Sequence, residues 1–146
     1  MTMLNYSWQV VAEANRTAGA ANVTYRLLAR ISEQYHSIEL NRDWVEVQTT
    51  YELHTGYIYS GTWNFGGTGC DAVSGGGTLR GSGTLLSGGF WAYHDNNGNY
   101  ATSLYADLQF YFSAANAYLS GNIELPNIPR ASSGAWKDNK NHVKLD

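Results

Sequence analysis

Apolar and polar residues alternate with a period of two along most of the chain between Tyr6 and Leu125, the signature of strands with one face on a core and one in water. From Tyr6 to Ala14 the positions Tyr6, Trp8, Val10 and Ala12 share one face, with Ser7, Gln9 and Glu13 on the other. Arg16 to Ala20 reads as a turn. Val23, Tyr25, Leu27, Ala29 and Ile31 then alternate with Thr24, Arg26 and Arg30. Thr24 to Glu33 also contains good helix formers behind a possible cap at Asn22, but five apolar positions at strict period two outweigh propensity and predict a half-buried antiparallel strand. Gln34–Leu40 and Trp44–Leu53 follow as two further strands joined at Asn41-Arg42-Asp43, with Val45, Val47, Thr49 and Tyr51 on the inner face of the second. In Tyr57–Phe65 an aromatic ladder of Tyr57, Tyr59, Trp63 and Phe65, with Gly61, falls on one face.

The middle of the chain changes character. Of 16 glycines, 13 lie between Gly56 and Gly98, and as far as Tyr93 that stretch holds only Asp71 and Arg80 as charges. Glycine at this density disfavours helix and suits loops, bulges and close strand crossings. The pattern predicts a loop over Gly66–Gly77 and strands near Thr78–Ser87 and Phe90–Tyr93. Asn97-Gly98 is a strong hairpin signal, followed by a central strand, Tyr100–Ser113, and a last strand, Ala117–Leu125. Pro126 and Pro129 end the alternation, because proline donates no ladder bond and stiffens the exit. About nine short strands without a helix or repeat predict an all-β fold, an antiparallel β-sandwich of jelly-roll type, with a closed barrel as the other arrangement. Residues 1–132 form one domain in this reading, and Ser133–Asp146 is a polar arm carrying one aromatic, Trp136.

Composition narrows the function classes. A net charge of −3 without a basic stripe argues against a nucleic-acid partner. Met1–Gln9 has neither a basic nor an apolar leader region, and no window approaches the roughly 18 apolar residues of a membrane span, so export and membrane insertion are not expected. The 11 tyrosines and 5 tryptophans suit half-buried sheet faces and contact surfaces.

Candidate chemistry is sparse. Cys70 is alone in a Gly-rich segment and reads as an inert thiol. Asn5, Asn15 and Asn22 begin N-x-S/T triplets, read here as polar strand and turn residues. Asp95, Asn97 and Asn99 have oxygen-rich spacing that a hard cation would accept, yet the sixth-position glycine and distal glutamate of a calcium loop are missing, and the hairpin explains the same residues. His36, His54, His94 and His142 show no metal-ligand spacing. Glycosidases need only two facing carboxylates, and Glu13, Glu39, Glu46, Glu52, Asp107 and Glu124 all fall on predicted strands, where a solvated face explains them equally well. The reading is therefore non-enzymatic, with no cofactor. A Gly-rich loop over Gly66–Gly77 flanked by Tyr57, Tyr59, Trp63 and Trp91 is expected to form a contact surface, with Trp136 as an anchor on the arm.

Several runs resemble a known family. Tyr93-His94-Asp95-Asn96-Asn97-Gly98-Asn99 and the closing run Ile128-Pro129-Arg130-Ala131-Ser132, with Asn22-Val23-Thr24-Tyr25-Arg26-Leu27-Leu28 near the start, resemble a β-rich module of minor structural proteins in the tails of phages that infect Gram-positive bacteria. Asn127 stands where that family carries threonine, and Asp95 and Asn97 swap its usual order of amide and acid. The likeness spans roughly residues 6–132. It implies a virion module made in the host cytoplasm, with other virion proteins, a second copy of the chain or cell-wall polysaccharide as partners. A carbohydrate-binding module is the alternative reading, in which exposed rings stack on wall saccharides.

Overall fold

A computed structural model describes residues 1–37, 42–93, 100–111 and 115–125. Nine strands follow in order: β1 (Thr2–Met3), β2 (Gln9–Ala18), β3 (Ala21–Ser37), β4 (Arg42–Thr55), β5 (Ile58–Gly67), β6 (Cys70–Leu79), β7 (Ser82–Tyr93), β8 (Tyr100–Phe110) and β9 (Asn116–Leu125). They form two packed sheets, β1-β9-β8-β5-β6 and β2-β3-β4-β7, antiparallel except where β1 lies parallel to β9. The all-β sandwich is thus present, as two sheets rather than a closed barrel. The strand order does not confirm the jelly roll. β2, β3 and β4 lie side by side in sequence, and β7 returns beside the last of them, whereas a Greek key returns beside the first.

The alternation places the core as predicted in the long strands. Val23, Tyr25, Leu27, Ala29 and Ile31 of β3 are buried against Leu104, Ala106, Leu108 and Phe110 of β8 and Ala117, Leu119, Ile123 and Leu125 of β9, joined by Val45 and Val47 of β4. Near the N-terminus, Leu4 N–H donates to the Glu124 carbonyl and Ile31 N–H to the Asn5 carbonyl, so the link from β1 to β2 bridges the two sheets with the Leu4 side chain in the core.

Five sequence expectations change. The face expected for Tyr6, Trp8, Val10 and Ala12 is broken: Tyr6 precedes β2 and is exposed, and a bulge between Val10 and Ala12 shifts the parity, leaving Val10 exposed and turning Val11, Ala12 and Ala14 toward the core. The Arg16–Ala20 turn shrinks to Gly19-Ala20, where Gly19 supplies a φ of 58°. The separate strands Val23–Ile31 and Gln34–Leu40 are one strand as far as Ser37, with a register shift between Ile31 and His36. The Gly66–Gly77 loop is a hairpin instead: Gly67 pairs with Cys70 across Thr68-Gly69, and β6 runs straight through Gly75-Gly76-Gly77. The Trp63 indole lies against Gly75 and Gly77, while Gly76 faces the Gly61 carbonyl and Thr62. A Cβ on Gly75 would stand 2.8 Å from the indole Nε1. Correspondingly, β7 is one strand from Ser82 to Tyr93, entered by a two-residue crossing at Arg80-Gly81.

Candidate functional site at the tyrosine end

Three tight connections meet at one end of the sandwich: the β2–β3 turn at Gly19-Ala20, the β4–β5 crossing at Gly56-Tyr57 and the β6–β7 crossing at Arg80-Gly81. Gly56 has a φ of 66° and rests on the Ala20 carbonyl, 2.7 Å from where a Cβ would be, so only glycine fits the crossing. Side chains tie the connections together. Thr55 Oγ1 donates to the Ala20 carbonyl at 3.1 Å, and Tyr51 OH donates to the Arg80 carbonyl at 2.7 Å. The Leu53 N–H reaches the Gly81 carbonyl at 2.8 Å.

On this frame stand Tyr57 and Tyr59, 44% and 68% exposed, with ring centroids 6.5 Å apart and planes at 55°. The Arg80 guanidinium lies 4.3 Å above the Tyr57 ring. Ala18, Ala20, Ala21 and Gly56 floor an open depression of about 390 Å³ that the two tyrosines wall. Tyr111, 84% exposed, stands nearby through its N–H bond to the Ser60 carbonyl. The arrangement offers an apolar floor, aromatic walls and phenol hydroxyls. It has the make-up of a contact surface, since rigid rings bury area at low entropic cost.

The other expected site residues are dispersed. A bulge between Ile58 and Gly61 splits the aromatic ladder, leaving Tyr57 and Tyr59 outside while Trp63 and Phe65 turn inward. Trp63 is only 8% exposed and packs under Gly75 and Gly77, so it presents no ring to a partner. Trp91 lies on the outer face of the four-stranded sheet, away from the tyrosines. There the Arg42 guanidinium sits 3.9 Å over its ring and donates to Tyr93 OH at 2.5 Å, and Trp44 meets it edge-on at 5.2 Å. Trp44 in turn covers Gly89, whose missing side chain makes room for the indole. Trp136, Asp95, Asn97 and Asn99 fall outside the described residues, as does the Asn97-Gly98 turn.

Trp44 and Tyr93 do not figure among the contact residues expected from the sequence, although the signal was present: both are out of phase with the inward residues Val45 and Ala92 of their strands, and large rings out of phase belong on the outer face. Cys70 is buried, and burial, helped by Asp71, pushes its thiol up to about 11, which keeps it protonated. Asn15 and Asn22 pair across β2 and β3, each amide donating to the other's oxygen at 3.0–3.1 Å, with Thr17 and Thr24 completing the ladder. Glu13 and Glu46 are ion-paired with Arg26 and Arg30 at 2.9 and 2.6 Å, and Glu52 lies 3.5 Å from Arg26. No protein-family model matches the chain, and no curated protein is similar to it in sequence.

Proposed function

We propose that the chain is a structural module of a phage tail or tail tip, without catalytic activity, that touches the host surface through its tyrosine end. The setting is supported by the resemblance of Ile128–Ser132 and the His94–Gly98 turn to tail modules. The contact role is carried by one observation: Tyr57 and Tyr59 are exposed on three interlocked turns around an apolar depression, where a packing role alone would have buried them. Partners in this reading are other virion proteins and the cell wall, and the site of action is the particle.

Two measurements test it. Antibodies against the purified chain should decorate the tails of particles that carry its gene in immunogold electron microscopy; unlabelled particles would refute the virion reading. The labelled domain should bind Gram-positive cells, and Tyr57→Ala with Tyr59→Ala should weaken binding at least 10-fold while the melting temperature stays within about 3 °C, as for exposed positions. Unchanged binding by that double variant would remove the tyrosine end from the contact.

A further inference from the structure

Charge is sorted between the two sheets. Arg16, Arg26, Arg30 and Arg42 all lie in β2, β3 and β4, whereas β1, β5, β6, β8 and β9 contain no lysine or arginine. The outer face of the four-stranded sheet carries the ion pairs of Arg26 and Arg30 and the Trp44, Trp91 and Tyr93 rings that pack on Arg42. The outer face of the five-stranded sheet is of a different kind. Because Trp63, Phe65, Leu108, Ala117 and Leu119 point inward, their neighbours point out, and the register aligns them in rows. Thr62, Gln109 and Asn116 make one row, and Asn64, Asp107 and Tyr118 the next.

At the centre is Asp107. Gln109 Nε2 donates to its Oδ2 at 2.8 Å and Asn116 Nδ2 to its Oδ1 at 3.0 Å, so the carboxylate is clamped by two amides from two strands. Each carboxylate oxygen keeps a free lone pair, and each amide keeps a carbonyl and an N–H. This is a rigid array of paired donors and acceptors. Tyr118, 57% exposed, stands directly across from Asp107, and Tyr105 lies on the diagonal.

We infer that this face binds a neutral saccharide. Vicinal sugar hydroxyls both donate and accept, which is what a carboxylate flanked by amides supplies, and the C–H face of a pyranose packs on a tyrosine ring. Among the described residues an anionic polymer finds no countercharge here: Asp107 repels it, and the cation beside this face, Arg16, is at the rim, engaged with the Asn116 carbonyl at 3.2 Å and the Asn15 carbonyl at 2.9 Å. A protein partner would want an apolar centre, and this face shows hydroxyls and amides. The site is centred two rows further along the strands than Ser60 and Tyr111 of the tyrosine end, and it does not rest on the virion reading.

The test is a glycan array of neutral hexose and N-acetylhexosamine polymers beside sulfated, phosphorylated and uronate polymers, probed with the full chain. Binding to at least one neutral glycan is expected, insensitive to salt. Tyr118→Ala and Asp107→Asn should each weaken it at least 10-fold with the fold intact by circular dichroism, while the Tyr57→Ala/Tyr59→Ala variant binds as the parent does. Tyr118 is exposed, so its variant remains informative if Asp107→Asn unfolds. The inference is overturned if no neutral glycan binds, if only anionic glycans or a protein ligand bind, or if the loss follows Tyr57 and Tyr59 instead of Tyr118.

Discussion

Gly75 and Trp63 face each other across the β5–β6 pair, and the chain's tolerance for a methyl group there measures how tightly the edge of the sandwich is packed. A Cβ on Gly75 would approach the indole Nε1 to 2.8 Å, about 0.6 Å inside ordinary contact, and Leu86 of the opposite sheet stands 3.5 Å from the same point, so the ring has little room to swing. Overpacking of this kind costs about 1–3 kcal/mol. Restricting the unfolded chain returns about 0.4–1 kcal/mol. Gly75→Ala should therefore destabilise by about 1–2 kcal/mol, or about 2–8 °C in melting temperature for a chain of this size. In a Trp63→Leu background the methyl finds space, and the same substitution should be neutral or slightly stabilising, a coupling of about 1–2 kcal/mol. Urea denaturation of the four proteins, followed by far-ultraviolet circular dichroism because tryptophan itself is altered, completes the cycle. An equal cost for Gly75→Ala in both backgrounds would refute the view that the indole dictates these glycines.

Gly56→Ala and Gly81→Ala share a positive φ but differ in surroundings: the first meets the Ala20 carbonyl at 2.7 Å and the second meets nothing within 4 Å. Chemical denaturation should show about 1–3 kcal/mol lost for Gly81→Ala from backbone strain alone and distinctly more for Gly56→Ala. Leu4→Ala should cost about 2–5 kcal/mol although it stands outside the strands, since Leu4 is fully buried; thermal melting reads this directly. Stability should also fall in alkali: burial holds Cys70 protonated to about 11 and Tyr25 to about 12, above their ordinary 9.0 and 10.0, so between pH 9 and 12 the unfolded chain loses protons that the folded chain keeps. Melting curves across that range should drop, and Cys70→Ala should flatten the part between pH 9 and 11; a flat parent profile would contradict the burial of both groups.

Periodicity carried the core well wherever strands are regular, as in Val23–Ile31 and Leu104–Phe110, because alternation is a direct consequence of the pleat. It failed where one extra residue reset the parity. The bulges at Val10/Ala12 and Ile58/Gly61 moved Val10 and Tyr59 to the opposite face from the one alternation assigns, and no local residue type announces them. The glycines misled in another way. Their density suggested a loop, whereas they record close approaches by rings distant in sequence, Trp63 against Gly75 and Trp44 against Gly89. For the candidate sites, Tyr57 and Tyr59 were legible as aromatic contact residues. The clamp on Asp107 was not, because it joins β8 to β9 through side chains whose proximity depends on register.

The parallel pairing of β1 with β9 sets how the module answers to mechanical load. Thr2 lies beside Ile123 and Met3 beside Glu124, with both strands pointing the same way. A pull on Met1 and Leu125 in opposite directions therefore runs along the strands, and the bonds between them, together with the Leu4 anchor, are strained at once in shear rather than opened one after another. In a longer chain under tension, that seam would give way abruptly at high force and not by gradual peeling.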